Sequence, residues 1–476
     1  MLFNSLEFLI FLPTVFFFYW FVFNKSLKYQ NLFILFASYV FYGWWDWRFL
    51  TLIFISTAVD FLVGKKIFYI KENSIRKFYL FLSILFNLSL LGFFKYYNFF
   101  VQSWIDLVSV FGYGVQSLWT LKIILPVGIS FYTFQSMSYT LDVYNRKIIP
   151  TNDFISFASY VSFFPQLVAG PIERSTNLLP QMLAIRSFRY RQAVEGLRLI
   201  LWGIFKKVVI ADSLAWRVNY CFDNYNTLDG GTLLLGLIYF GIQLYCDFSG
   251  YSDTAIGTAK LFGIELMSNF NYPFFARNIA EFWRRWHISL STWFRDYLFI
   301  PLGGSKGGKW LSIRNIFIVF IVSGFWHGPN WTFIAWGLMH AFLYLGFLLI
   351  SKNSKDDPNI VAKNKILSTI RETSQVVITY LSVTFTWVFF RSETIEKSFD
   401  YLIQMVTNLS IPIDNKGGLF YVATILIFDW VLRRDERSVL LTNNLIQNWI
   451  IILAFSLIIF FFSLYHPKSE FIYYQF

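Results

Sequence analysis

Charged side chains are scarce in this sequence. Asp, Glu, Lys and Arg make up 14% of its 476 residues, against about 25% in soluble proteins, whereas 56% are hydrophobic and 22% aromatic. This balance excludes a disordered chain and, despite a net charge of +12, a nucleic-acid-binding one. From Leu6 to Phe23 only Glu7 is charged, which suits a bilayer crossing of about 20 residues. We therefore predict an all-α polytopic membrane protein, with residues 1–476 forming one membrane domain.

Cysteine is also scarce. Cys221 and Cys246 are the two cysteines, and their positions leave a disulfide open without indicating one. No Cys/His cluster has zinc-like spacing, so we predict no metal site and no bound cofactor. The first apolar run ends at Asn24 and Lys25 without a small-residue cleavage site, so we interpret it as a transmembrane helix and not as a signal peptide.

Apolar runs separated by polar or basic breaks recur along the chain. They predict about 11–13 helical crossings, because some short runs could be half-helices. The run 154–169 contains Pro165 and Gly170 and could be re-entrant. The other runs lie near residues 6–23, 31–45, 49–63, 78–94, 121–142, 193–211, 231–248, 312–326, 331–350, 374–390, 417–432 and 445–465.

Positive charge is concentrated in some of the breaks. Short basic loops stay in the cytoplasm, and placing all of them there gives one path with both termini outside. We interpret the +12 as a topology signal and as a contact with anionic membrane lipid, in the cell membrane or, in a Gram-negative cell, the inner membrane. The basic breaks lie near residues 25–28, 65–77, 146–147, 174–191, 277–314, 352–371 and 433–437, whereas 212–229 is acidic and 391–416 mixed.

The chain has four histidines, and an ionisable residue at membrane depth is a functional hypothesis by default. His327 lies among Gly324, Gly328 and Pro329, which we expect to break the helix and to line a cavity. A histidine there suits a general base, and a structural histidine is the alternative. We interpret His340 as a core histidine and His466 as interfacial.

His287 lies in a segment that we read as one helix with two faces. One face is aromatic, and on the other Arg284, Ser291 and Arg295 recur with His287 at steps of three or four. An interfacial anchor is the favoured interpretation of such a helix. A stripe facing an internal tunnel would instead supply cations for a phosphate-bearing donor such as coenzyme A.

Buried polar groups also occur in the segment 245–253. Asp247 and Asp253 would be costly at membrane depth unless they are paired. We expect them to hold a helix break or to pair with nearby arginines, and a catalytic carboxylate is the minor alternative.

Several motifs resemble the membrane-bound O-acyltransferase (MBOAT) family. The resemblance rests first on Phe282–Ser291, Arg295–Tyr297 and Phe325–Gly328. The segment Ile300–Ser305 is similar to the alginate O-acetyltransferase branch of that family. So are Pro126–Gln135, Phe164–Ile172, Tyr245–Tyr251 and Phe471–Phe476, which extends the similarity over essentially the whole chain.

The resemblance implies a fold and a role for two histidines. It implies a ring of tilted helices with re-entrant segments around a central tunnel, a catalytic His327 and a second tunnel histidine, His287. An acetyl group would pass from a cytoplasmic donor, acetyl-CoA, to an envelope polysaccharide such as an alginate-like exopolysaccharide or peptidoglycan, with an extracytoplasmic SGNH-type partner. His287, the Trp331 backbone N–H or the Asn330 side chain could stabilise the oxyanion.

Two other functions remain open. One is the D-alanyl exporter branch of the same family, which acts on teichoic acids; the Ile300–Ser305 segment argues against it. The other is a glycan transporter or flippase, which would explain the helices and buried charges. Transport has no particular need for His287 and His327.

Overall fold

The computed structural model describes residues 1–112, 119–353, 365–412, 414–433, 445–465 and 471–472, and within these ranges the regular structure is helical with no strand. His466 and the end of the segment Phe471–Phe476 lie outside the described residues. The α-helices are α1 Leu6–Phe17, α2 Leu27–Asp46, α3 Leu50–Tyr69, α4 Asn73–Leu91, α5 Tyr97–Val110, α6 Ile129–Tyr144, α7 Phe154–Ser162, α8 Phe164–Leu167, α9 Ser175–Leu183, α10 Tyr190–Phe205, α11 Asp212–Asp223, α12 Gly230–Leu261, α13 Ile279–Arg285, α14 Ile288–Phe294, α15 Lys309–His327, α16 Trp331–Asn353, α17 Lys365–Arg391, α18 Ile395–Thr407, α19 Leu419–Leu432 and α20 Leu445–Tyr465.

Short turns of other helix types continue several of these helices. π-helical turns, which often occur at functional sites, follow α1, α4, α10 and α14. These turns are Phe18–Val22, Gly92–Tyr96, Lys206–Ala211 and Arg295–Phe299, and the 3₁₀ turns are Trp47–Phe49, Pro273–Phe275 and Lys416–Gly418. The π turns place Lys207 and Arg295 where the helical register shifts.

In the described part of the chain, seven helical segments are long and apolar enough to cross a membrane. A shorter apolar helix, Leu6–Val22, precedes them. The seven are Leu27–Tyr69, Asn73–Val110, Gly230–Leu261, Lys309–His327, Trp331–Ile350, Thr369–Arg391 and Ile446–Leu464. The predicted all-α polytopic fold is confirmed, and the ring, the tunnel and the count of 11–13 crossings stay predictions.

Several predicted helix bounds are wrong, and two of them have a clear physical reason. The run 121–142 becomes helical only at Ile129, because Pro126 lacks an N–H and Gly128 has a φ of 75°. The expected end at residue 248 does not exist, since α12 continues through Gly250 to Leu261. Gly250 lies inside this helix, and its missing side chain lets the backbone of Gly203 approach: a Cβ at Gly250 would lie 2.6 Å from the Gly203 carbonyl oxygen.

The chain divides into two compact units, and the single membrane domain over residues 1–476 stays a prediction. The first unit comprises Met1–Ile200 and Tyr251–Met267. In it, the fully buried carboxylate of Asp60 on α3 accepts hydrogen bonds from Ser83 Oγ (2.6 Å) and Asn87 Nδ2 (2.9 Å) on α4. Polar bonds of this kind join helices where lipid offers no hydrophobic driving force.

The second unit comprises Leu201–Gly250 and Ser268–Phe476. Asp247 on α12 does not hold a helix break, contrary to one expectation. Its Oδ1 lies 2.7 Å from Lys207 Nζ, which also lies 2.9 Å from Asp212, and its Oδ2 accepts a 2.7 Å bond from the N–H of Ile472. The buried carboxylate is therefore paired, as the cost of an isolated charge requires, but the partner is a lysine and not one of the expected arginines. Cys221 and Cys246 are buried free thiols.

Candidate active site

Three histidines of the second unit alternate with two tryptophans, and we call this set the histidine row: His287, Trp326, His327, Trp336 and His340. Ring centroids are 6.1 Å apart from His287 to Trp326 and 5.0 Å from Trp326 to His327. They are 5.0 Å apart from His327 to Trp336 and 4.7 Å from Trp336 to His340. All three imidazoles are buried, with exposed fractions of 0%, 4% and 0% in chain order. Such burial keeps water from a reacting ester or thioester.

His287 lies between α13 and α14 with left-handed backbone angles, φ 43° and ψ 54°. Its Nδ1 is 3.0 Å from Asn269 Oδ1, which also accepts bonds from the backbone N–H of Ser289 (3.3 Å) and from Ser289 Oγ (2.9 Å). Since the backbone N–H can only donate, the Asn269 atom is an acceptor. Nδ1 of His287 therefore carries the hydrogen, and the neutral ring has its lone pair on Nε2.

Burial lowers the pKa of His287 to about 3, so the ring is neutral near pH 7. The rings of Phe248 and His287 pack edge to face, with centroids 4.7 Å apart and planes at 89°. With the lone pair on Nε2, His287 can orient a hydroxyl group by accepting its hydrogen bond. In this tautomer Nε2 cannot donate to an oxyanion, which was one of its suggested roles.

The single amphipathic helix predicted around His287 is wrong. The left-handed turn at His287, stabilised by the Asn269 bonds, separates α13 from α14 and ends the helical periodicity. Arg284 and Arg295 are exposed whereas His287 is fully buried, so these three side chains do not form one stripe.

His327 is the last residue of α15, and Gly328 follows in extended conformation. Its ring packs edge to face against Trp326 and Trp336 and also against Phe390 at 5.3 Å. The surrounding rings hold the imidazole in place within a low-dielectric site. The expected helix break begins at Gly328, one residue after His327, and Gly324 is helical, contrary to prediction.

Gly324 instead brings α15 close to α16. A Cβ at Gly324 would lie 2.3 Å from the carbonyl oxygen of Phe333, and one at Gly337 would lie 2.3 Å from that of Phe320. Small residues at such a crossing let two helix backbones approach closely. The crossing places Trp336 against His327.

Asn330 and Trp331 begin the connection into α16. Asn330 Nδ2 donates to the Glu393 carbonyl (2.8 Å), and its Oδ1 accepts from the Thr332 N–H (3.1 Å). Both ends of this amide are thus bonded to backbone, in the manner of a helix N-cap. The Trp331 side chain is 54% exposed.

A cavity of about 320 Å³ lies beside the histidine row, among α13, α14, α15 and α16. Ser291 and Arg295 line it, and the side chain of Arg295 is 60% exposed, which places it at an open side. Along α15 the lining extends from Ser312 to Ser323, about 16 Å at 1.5 Å per residue. Ser323 is one helical turn, about 6 Å, before His327. Arg284 is exposed and is not among the lining residues described.

Sequence reasoning missed several residues of this site. Asn269 orients His287 from 18 residues away, and Thr386 binds His340 from 46 residues away, so no local spacing signals either contact. The interpretation of His340 as a core histidine agrees with its full burial and its 3.0 Å bond to Thr386 Oγ1. In the described ranges no three His, Cys, Asp or Glu side chains cluster as metal ligands.

Residues 88–385 match the model of the family described as MBOAT, membrane-bound O-acyltransferase. The chain belongs to the MBOAT family. Both His287 and His327 lie within the matched region, and the resemblance seen in the motifs is thereby confirmed. As a member of this family, the protein is an acyltransferase.

Named relatives of this MBOAT cover most of its length. It is 40% identical over 399 residues to the probable alginate O-acetylase AlgI of Pseudomonas aeruginosa, covering 83% of this chain and 73% of the relative. It is 36% identical over 440 residues to the peptidoglycan O-acetyltransferase of Helicobacter pylori, covering 85% and 80%. Identity to the teichoic acid D-alanyltransferase of Bacillus subtilis is 30% over 282 residues, covering 56% and 68%.

Proposed function

We propose that this MBOAT O-acetylates an envelope polysaccharide, taking the acetyl group from a cytoplasmic thioester, acetyl-CoA. The observation that carries the proposal is the 40% identity, over 83% of the chain, to an alginate O-acetylase. An alginate-like exopolysaccharide or peptidoglycan is the acceptor class, since relatives named for both are similar over most of the chain.

His327 is the proposed general base. It takes the proton of the acceptor hydroxyl as the hydroxyl oxygen attacks the thioester carbonyl. The tetrahedral intermediate then expels the thiolate, which takes the proton from His327, so an ester and a free thiol result. The buried row supports this assignment because it excludes competing water. His287 is proposed to orient the hydroxyl group through Nε2.

The cavity is the proposed site of the donor. Its length along α15 and its end near Ser323 suit an extended thioester arm that points toward His327. Arg295 at the open side is proposed to bind a donor phosphate, for which guanidinium geometry is well suited. Ser291 is a hydrogen-bonding group in the same cavity wall, and its Oγ donates to the Trp286 carbonyl (3.2 Å).

The acceptor hydroxyl belongs either to the glycan itself or to an extracytoplasmic SGNH-type partner, which then passes the acetyl group to the glycan. The basic breaks support a cytoplasmic donor side, with both termini outside, in the cell membrane or the inner membrane of a Gram-negative cell.

The His327→Ala variant tests the catalytic assignment. We expect at least a hundredfold loss of gene-dependent acetate released by mild base from the envelope glycan, because a general base contributes about 10²–10⁴-fold. Expression and membrane insertion should match the wild type. As a control, Thr424→Val removes an intrahelical hydroxyl bond on α19 and should leave acetylation unchanged. Near wild-type acetate from His327→Ala would contradict the assignment.

The same measurement separates the alternative functions. Loss of D-alanine instead of acetate on deleting the gene would favour the D-alanyl branch, to which the Bacillus subtilis relative belongs by name. Loss of the surface polymer itself would favour a flippase. Polymer that persists without acetyl groups is the outcome we expect.

A further inference from the structure

Two rings form a wall between the cavity and the histidine row. Trp283 and Phe320 both line the cavity, and their ring centroids are 5.3 Å apart. The same two rings contact His340, at 5.0 Å and 6.0 Å respectively. We call Trp283 and Phe320 the aromatic wall. His340 contacts both rings of the wall and is not itself among the cavity-lining residues described.

The imidazole of His340 is held by two neighbouring phenylalanine rings and by a hydrogen bond at one edge. Its Nε2 is 3.0 Å from Thr386 Oγ1, and that hydroxyl donates its one hydrogen to the Val383 carbonyl at 2.7 Å. Nε2–H of His340 is therefore the donor to Thr386. The ring is nearly parallel to those of Phe282 (8°) and Phe320 (18°), so the tether and the two neighbours fix its orientation.

One ring, that of Trp336, contacts both His340 and the proposed base, His327. Trp336 lies 4.7 Å from His340 and 5.0 Å from His327, and it is 5.9 Å from Trp283. A displacement of His340 would therefore move both the aromatic wall and the packing of His327. Close-packed interiors transmit such shifts because they contain little free space.

We propose that His340, tethered to Thr386, is a positioning residue that holds the aromatic wall, and that this wall limits the acyl group of the donor to two carbons. The inference rests on the proposed function. Trp283 and Phe320 line the cavity together with Ser323, the lining residue of α15 that is nearest in sequence to His327. Trp336 contacts both Trp283 and His327, so these rings lie where the acyl carbons of a donor in the cavity would approach His327. On this proposal, a longer acyl chain is accommodated only by displacing the aromatic wall.

Acyl selectivity is the readout that a merely structural role would not change. Initial rates are measured for the purified full-length protein with acetyl-CoA and with propionyl-CoA. In parallel, cells grown with propionate are assayed for the acetic and propionic acids that mild base releases from the envelope glycan. The variants are Phe320→Leu, Thr386→Val, Thr386→Ser and the control Thr424→Val, whose hydroxyl bonds to the Phe420 carbonyl at 2.8 Å.

We expect Phe320→Leu to raise the propionyl-to-acetyl ratio by about tenfold, since one methylene in an apolar pocket is worth about 10–200-fold in discrimination. Thr386→Val should raise the ratio by a smaller factor and lower the acetyl kcat more than it changes KM. Thr386→Ser keeps the hydroxyl and should restore the wild-type ratio. Thr424→Val should match the wild type in both rates.

An unchanged ratio in Phe320→Leu and Thr386→Val, in proteins with wild-type thermal midpoints, would overturn the inference. If Thr386→Val does not fold, the test depends on Phe320→Leu. A wild-type propionyl-to-acetyl ratio in Phe320→Leu then overturns the inference. A wild type that releases acetate in cells but uses neither thioester in vitro would overturn the acetyl-CoA donor; the acid ratio from cells would then decide the inference.

Discussion

His287 adopts a backbone conformation and a protonation state that each depend on the same neighbour. The left-handed angles at φ 43° would be strained for most residues, and the three bonds to Asn269 Oδ1 compensate for that strain. The same bonds fix the hydrogen on Nδ1. A single amide thus determines which ring nitrogen of the imidazole carries the hydrogen.

The lowered pKa of His287 predicts how the stability of the protein depends on pH. Burial lowers it from 6.5 in the unfolded chain to about 3, so the unfolded state binds more protons between these values. Stability is therefore fully present above pH 6.5 and is lost as the pH falls toward 3. We expect the thermal midpoint of the purified protein to fall over this range, and to fall less for His287→Asn. Asparagine tolerates the left-handed angles and does not titrate.

A second variant checks the cause of this pH dependence. Asn269→Asp would set a carboxylate against Nδ1 of His287, which favours the protonated ring and raises its pKa. The thermal midpoint of this variant should then fall less between pH 6.5 and 4 than that of the wild type. If all three proteins lose the same number of degrees between pH 6.5 and 4, desolvation of His287 does not contribute as described.

Among the helices, the pair α15 and α16 determines the site. The close crossing at Gly324 and Gly337 brings the end of α15, with His327, beside Trp336 and His340 on α16. The cavity runs along one face of α15 from Ser312 to Ser323. One helix pair therefore carries both the proposed base and a wall of the donor site.

We expect Gly324→Ala and Gly337→Ala each to destabilise the protein by about 1–3 kcal/mol, because each new methyl group would overlap a backbone carbonyl that cannot rotate away. Acetate release should also fall, since the crossing places Trp336 against His327. Thermal midpoints and acetate release measure the two effects.

Gly346→Ala is the matched control on the same helix. A Cβ at Gly346 meets nothing within 4 Å in the structure, and alanine is the better helix former by about 1 kcal/mol. This variant should be at least as stable as the wild type and fully active. Equal losses in all three variants would mean that the crossing is not the cause.

For the whole molecule, the distribution of charge predicts the orientation in the membrane. The loop at Lys71 is basic and the loop at Asn224 follows an acidic stretch, and both residues are exposed. With both termini outside, Lys71 lies in the cytoplasm and Asn224 lies outside.

Single cysteines at these two positions test that path. In a background with Cys221→Ser and Cys246→Ser, a membrane-impermeant maleimide added to spheroplasts should label Asn224→Cys. It should label Lys71→Cys only after lysis. The cysteine-free protein is the control for background labelling, and acetate release shows whether each variant is active. Labelling of Lys71→Cys in intact spheroplasts would reverse the orientation.

Much of the fold was predictable because hydropathy and motifs are local properties. Apolar runs of membrane length and the motif around His327 indicated a polytopic MBOAT, and the family match over residues 88–385 confirms it. The predicted helix bounds were wrong where close contacts between helices outweigh the low helix propensity of glycine. Gly324 was expected to break a helix, and the run 231–248 was expected to end before Gly250. Both glycines lie in continuous helices, and their missing side chains let another backbone pack closely against them.

Composition and local motifs were enough to predict the membrane class, the family and the histidines worth testing. Long apolar runs with little charge must be helical in lipid, because a helix satisfies its own backbone hydrogen bonds there. The position of the hydrogen on His287 and on His340 follows instead from the folded chain. The bonds of Asn269 to His287 and of Thr386 to His340, and the tryptophans between the imidazoles, arise from contacts between separate segments. Such contacts have no period or spacing along the chain, because packing in three dimensions creates them.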